Sequence, residues 1–118
     1  MLVNIKVYPY LYISTNACYL NKKAIRLLNI DIENQYIDFH FVDGKKIAFI
    51  YVSNIPGIEL KYNANLFKFS SRKKVARIFE LYQINQPKYR LIIDEEPILA
   101  GDIKYHPLIK INYEQSTY

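Results

Sequence analysis

The chain has 118 residues, 51% of them hydrophobic, with 16 Lys and Arg against 11 Asp and Glu for a formal net charge of +5. This length and apolar content suit one domain with a real core and exclude a disordered chain, while the basic balance admits an anionic partner without requiring one. One cysteine, Cys18, and three glycines exclude an internal disulfide, a cysteine zinc cluster and a glycine-rich phosphate loop.

In chain order, residues 2–14 alternate loosely and are rich in tyrosine, with Pro9 marking an edge strand or a break between two short strands. No signal-peptide pattern or apolar run long enough to span a membrane is seen, so a cytoplasmic location is expected. A turn at 14–16 and a short strand at 17–20 lead to Asn21, which can cap a helix over Lys22–Leu28. Ala24, Ile25 and Leu28 face inward on that helix, and Lys22, Lys23 and Arg26 face outward.

Residues 35–42 and 45–52 are β-rich runs separated by Asp43-Gly44, a dipeptide suited to a two-residue hairpin turn. Pairing across it sets Val42 opposite Lys45, Phe41 opposite Lys46 and Phe39 opposite Ala48. One face then gathers Ile37, Phe39, Phe41, Ala48, Ile50 and Val52, a core face. The other carries Tyr36, Asp38, His40, Ile47, Phe49 and Tyr51. Its half-apolar character suits a partner surface, for which Tyr36, His40, Phe49 and Tyr51 are the candidates.

After a turn at Pro56-Gly57, a strand at 58–62, a turn at 63–65 and a strand at 66–69, a second helix starts behind Ser70 and Ser71. Val75, Ile78, Phe79 and Tyr82 fall at i, i+3, i+4 and i+7, one apolar stripe. Arg72, Lys73 and Lys74 occupy the first turn, where the helix dipole favours acids, and Arg77 follows one turn on. Either these cations and the serine hydroxyls form an anion site, or they are long side chains tolerated in water. Strands at 89–93, 103–105 and 108–113 complete the pattern, with an acidic turn at 94–97.

Together these elements predict an α+β fold: a mainly antiparallel sheet with two short helices. They form a single domain over residues 1–113, with a C-terminal tail at 114–118. The echo of Lys22-Lys23-Ala24-Ile25-Arg26 in Lys73-Lys74-Val75-Ala76-Arg77 suggests an internal pseudo-twofold, and chance repetition in a lysine-rich chain explains it as well. Charge is segregated along the chain. Residues 1–30 and 60–79 carry cations and no acid, whereas Asp31, Glu33, Asp38, Asp43, Asp94, Glu95, Glu96 and Asp102 lie in the other segments.

Enzyme chemistry is poorly served. Asp38 and His40 share a strand face but lack a nucleophile, and Asp94, Glu95, Glu96, Asp102 and His106 lack the spacing of a calcium loop. No catalytic residue, metal or cofactor is expected.

The segment LYISTNACYLNKKAIRLLNIDIENQYIDF, residues 11–39, resembles the strand, short helix, strand half of AbrB-like swapped-hairpin DNA-binding domains. The motif of that family ends in Leu-x-Ile-x-x-Gly-Asp-x-Val after a basic helix start. Leu28, Ile30 and Tyr36 match its hydrophobic positions. Glu33-Asn34 replace its Gly-Asp turn, and Ala17, Cys18 and Tyr19 stand where its DNA-contacting loop has proline and arginine. The whole chain is similar to short uncharacterised proteins of Bacteroidetes phages and mobile elements, which implies a host cytoplasm or a virion as its location.

Two functions are therefore expected. One is a DNA-binding accessory or regulatory protein using Lys22, Lys23, Arg26, Ser70, Ser71, Arg72, Lys73, Lys74 and Arg77 on phosphates. The other is an auxiliary virion protein that packs against other subunits, with the acidic surface of a neighbour or a homo-oligomer as partner.

Overall fold

The computed structural model describes residues 4–31, 35–53, 57–63 and 65–111. The first strands are β1 (Tyr10–Ser14), β2 (Cys18–Leu20), β3 (Tyr36–Val42), β4 (Ile47–Val52) and β5 (Ile58–Glu59). They are followed by β6 (Lys61–Asn63), β7 (Leu66–Phe69), β8 (Lys88–Ile93), β9 (Ile98–Ala100) and β10 (Ile103–Ile109). Helix α1 (Lys22–Leu28) links β2 to β3, and α2 (Arg72–Leu81) links β7 to β8.

The strands follow the order β5-β3-β4-β10-β8-β1-β2-β7-β6, with β9 attached to β10 as a flap. The ends of that path, β5 and β6, are separated in the chain by Leu60 alone. One stretch thus pairs with β3 through Glu59 opposite Tyr36, and with β7 through Tyr62 opposite Phe67. At the switch Leu60 is fully buried, and its N–H donates to the Gln35 carbonyl at 2.7 Å. The sheet curls into a nearly closed antiparallel barrel.

This overturns the α+β class expected from the sequence. The helices form no layer of their own; they cover a barrel whose inside is the core. The reason is that closure rests on long-range pairings, β1 with β8, β2 with β7 and β4 with β10, which leave no local signature in short strands. Alternate residues point inward, and Leu11, Ile13, Leu20, Ile37, Ile50, Leu91, Ile93 and Leu108 are all at most 1% exposed. Each such burial stabilises by about 1.5–3 kcal/mol relative to an exposed side chain. Phe39 of β3 and Phe69 of β7 meet across the interior with ring centroids 6.0 Å apart.

The strand order also repeats. β1-β2-α1-β3-β4 and β6-β7-α2-β8-β10 occupy corresponding places, with β2 paired to β7 on one side of the barrel and β4 to β10 on the other.

The β3–β4 hairpin keeps the expected faces but not the expected register. Phe41 lies opposite Ala48 and Phe39 opposite Ile50, a shift of two residues that preserves which side chains point inward. The connection is a 3-10 turn over Asp43–Lys45, and the positive φ falls on Lys46, at 53°, instead of on Asp43-Gly44. A four-residue loop relieves the two positive φ angles that a tight turn demands.

Helix α1 has the expected bounds. Asn21 Oδ1 accepts from the Ala24 N–H at 3.0 Å and from Tyr10 N–H at 2.9 Å, while its Nδ2 donates to the Tyr8 carbonyl at 2.8 Å. One side chain therefore caps the helix and ties it to the start of β1. Helix α2 buries Val75 and Ile78. The Tyr82 hydroxyl behind it donates to the Leu108 carbonyl and accepts from Ala48 N–H, joining α2 to β10 and β4. The Glu33-Asn34 turn, Pro56 and the tail 114–118 lie outside the described residues. Among the described residues, no helix is long and apolar enough to cross a membrane.

Candidate nucleic-acid interface

The two acid-free segments, 1–30 and 60–79, supply adjoining strands of the barrel. β1, β2, β7 and β6 are consecutive in the sheet and form one wall. Across its outer surface runs a cross-strand row, with Tyr12 opposite Tyr19, Tyr19 opposite Lys68, and Lys68 opposite Lys61. The two tyrosine rings stack at 4.7 Å and 23°. Two like charges directly opposite each other destabilise a strand pair, and an anion laid over Lys61 and Lys68 relieves that repulsion.

The helix starts flank this wall. Helix α1 leaves the Leu20 end of β2, and α2 follows Phe69, which pairs with Cys18 at the other end of β2. The antiparallel pairing of β2 and β7 therefore places one basic helix start at each end of the same wall. At a rise of about 3.4 Å per residue the two starts are about 15 Å apart along the strands.

The predicted cations divide into two groups. Lys22, Arg26, Arg72 and Lys73 are exposed and have no acidic partner among the described residues. Lys23, by contrast, donates to the Val7 carbonyl at 2.7 Å and fastens the 3-10 turn at Ile5–Val7. Lys74 is paired with Asp38. Arg77 meets Asp43 at 2.9 Å and lies over the Phe41 ring at 4.2 Å. These last two serve the seam where α2 lies against β3. Ser70 is exposed, and Ser71 stands at the N-cap position of α2 without making a side-chain capping bond, so the expected serine cap is absent. Lys61 and Lys68 were not expected from the sequence. Both lie in the basic run 60–79, and only the β6–β7 pairing sets them side by side.

Beside α1, on the face of these strands opposite the tyrosine–lysine row, where Leu20, Phe67 and Tyr62 are in register, lies a cleft of about 200 Å³ floored by Leu20, Ile25, Leu66 and Phe67. Lys22 and Arg26 stand at its edge with Tyr62, which is 60% exposed and packs on Phe67 at 4.9 Å.

The expected partner face lies on the other side of the barrel. His40, Phe49 and Tyr51 gather around Tyr105 of β10, with ring centroids 5.7, 6.5 and 4.8 Å from it. Tyr36 stands apart at the start of β3, opposite Glu59. Burial, then the Asp38 charge and Tyr105, push the Tyr51 phenol up. The surface continues onto the β9–β10 flap, where Ile98 lies opposite Tyr105.

Among the described residues, three of the side chains with reactive potential are engaged or buried. Asp38 Oδ1 is taken up by Lys74 and the Phe39 N–H. The buried Cys18 thiol is pushed up to about 11 by desolvation, and His106 is buried with Nδ1 2.8 Å from the Asp94 carbonyl. Among the described residues no three of His, Cys, Asp and Glu gather as metal ligands. In comparisons with known proteins, the chain matches no family model, curated protein or solved structure at a significant level.

Proposed function

We propose that this protein is a non-enzymatic nucleic-acid-binding accessory protein of a phage or mobile element, working in the host cytoplasm. It holds a phosphate backbone on the β1-β2-β7-β6 wall. The observation that carries the reading is the folding of both acid-free segments into that one wall, where six cations lack acidic partners among the described residues: Lys22, Arg26, Lys61, Lys68, Arg72 and Lys73. A polyanion gains most where cations are exposed, grouped and uncompensated, because binding then releases its condensed counterions. The stacked Tyr12–Tyr19 pair adds an aromatic surface of the kind on which unpaired bases rest.

Fluorescence-anisotropy titration with labelled single-stranded and duplex DNA at two salt concentrations tests this. Binding that weakens steeply with salt is expected. Absence of binding at low salt refutes the proposal.

The flap and aromatic face favour a second reading, in which the protein packs against other subunits of an assembly such as a virion. Ile98 and Ile103, 56% and 37% exposed, share one face of the flap with Tyr105, and an apolar patch of this kind marks a protein-docking surface.

A further inference from the structure

We infer that the cleft between α1 and the β6–β7 hairpin is a nucleotide site, with the base against Tyr62 and Phe67 and the phosphate between Lys22 and Arg26. The cleft lies on the face of these strands opposite the tyrosine–lysine row. It takes a ring and a phosphate from one molecule or one chain end, beyond the polyanion surface proposed above.

Successive residues of a strand point to opposite faces, so β6 sends Lys61 to one side and Tyr62 to the other. Tyr62 lies opposite Phe67, and Phe67 opposite Leu20, which puts these three on one face. Leu20 is 1% exposed and belongs to the core, whereas Tyr62 is 60% exposed. The face therefore runs from the barrel interior into solvent, and the cleft lies where it emerges. A ring this exposed ordinarily moves between rotamers on a fast timescale. Here two contacts hold it. The Tyr62 hydroxyl donates to Asn65 Oδ1 at 3.2 Å, and the ring packs on Phe67 with centroids 4.9 Å apart.

Helix α1 supplies the rest. Ile25 and Leu66 complete the apolar floor, while Lys22 and Arg26 stand at the edge. These two cations are four residues apart, which sets them side by side on the helix surface. Both are exposed, neither has an acidic partner among the described residues, and no acid among the described residues lines the cleft. Like charges at this spacing repel. A phosphate placed between them removes that repulsion and accepts charge-assisted hydrogen bonds from both.

Size narrows the ligand. The cleft holds about 200 Å³, below the roughly 300–1,000 Å³ of sites for drug-sized molecules, and so has room for one base. A long acyl chain overfills it, and phosphate alone leaves the apolar floor and the tyrosine ring uncovered. A flat ring joined to a phosphate satisfies both halves. Because stacking and apolar contact hold the ring, the larger purine binds more tightly than a pyrimidine.

Isothermal titration calorimetry of the full chain with adenosine 5′-monophosphate tests this, beside adenosine, ribose 5-phosphate and cytidine 5′-monophosphate. The adenine nucleotide should bind with Kd between about 10 µM and about 1 mM. Adenosine and ribose 5-phosphate, each missing one half, should bind about tenfold more weakly or worse, and the cytidine nucleotide should fall between. Tyr62→Leu keeps an apolar side chain without the ring, and should lose about tenfold and the purine preference. Lys22→Gln/Arg26→Gln should reduce the nucleotide to the affinity of adenosine, while Lys45→Gln/Lys104→Gln, with the same change in net charge, should not. Circular dichroism checks that each variant folds.

A 5′-phosphorylated oligodeoxyadenylate with a 3′ fluorophore identifies the source of the nucleotide. Displacement by the mononucleotide assigns the cleft to the end of a strand, and mononucleotide binding without displacement assigns it to a free nucleotide. No binding of the mononucleotide at millimolar concentration, equal binding of adenosine, or a Tyr62→Leu chain that binds as the wild type does would each overturn the site. Oligonucleotide binding without mononucleotide binding loses the cleft and keeps the basic wall. Mononucleotide binding without oligonucleotide binding keeps the cleft and loses the wall.

Discussion

Replacing Tyr82 by Phe removes a single oxygen at the point where α2 meets two strands. That oxygen accepts from Ala48 N–H at 2.9 Å and donates to the Leu108 carbonyl, with the Ala48 carbonyl a further 3.2 Å neighbour. Phenylalanine keeps the ring packing and leaves a strand N–H and a carbonyl without that partner. A buried polar group stripped of its partner costs about 1–3 kcal/mol, so the loss should be about 2 kcal/mol. For a chain of 118 residues this lowers Tm by roughly 8 °C. Urea unfolding followed by circular dichroism, with the m-value unchanged, measures it directly. A loss below about 0.5 kcal/mol would show that water or backbone replaces the hydroxyl, and the account of how α2 is fastened would be wrong.

Other expectations follow from the same contacts. Asn21→Ala should cost at least the ~1 kcal/mol of a lost helix cap, and more because Tyr8 and Tyr10 also lose a partner; Asn21→Asp, which keeps the acceptor, should recover part of it in the same urea assay. Cys18, 1% exposed with its thiol pushed up to about 11, should resist thiol reagents at neutral pH in the native protein and react at once in denaturant; rapid native labelling would contradict its burial. Burial raises the Tyr10 and Tyr82 phenols to about 12, so the folded state holds these protons more tightly than the unfolded chain. That stability is complete below about pH 10 and is lost as pH climbs toward about 12. Unfolding midpoints followed from neutral to alkaline pH should fall over that window, less steeply in Tyr82→Phe, and a flat profile would refute the assignment.

Local features were legible in the sequence where local chemistry decides them. Asn21 before an apolar-periodic run marked α1, and the stripe at Val75, Ile78, Phe79 and Tyr82 marked α2. The inward face of the β3–β4 hairpin survived an error in its turn because an even register shift leaves the faces unchanged. The barrel itself was not legible. Its closure depends on Leu60 switching one short stretch from β3 to β7, and nothing in Ile58–Asn63 announces two partners. The candidate site was half legible for the same reason. Charge segregation along the chain was plain, but the row Tyr12–Tyr19–Lys68–Lys61 draws residues from four strands, and the pairing of Lys74 with Asp38 and Arg77 with Asp43 joins segments some 35 residues apart.

The most direct test of the central claim is the salt dependence of single-stranded DNA affinity for three proteins: wild type, Lys61→Gln/Lys68→Gln on the basic wall, and Lys45→Gln/Lys104→Gln away from it. Both double variants lose the same net charge, so a general electrostatic effect treats them alike. If the wall holds the phosphates, the first variant should lower the slope of log K against log salt by about 1.4, or about 0.7 for each lost contact, while the second leaves it near the wild-type value. Equal losses in the two variants, or none in the first, would contradict a nucleic-acid interface on the β1-β2-β7-β6 wall.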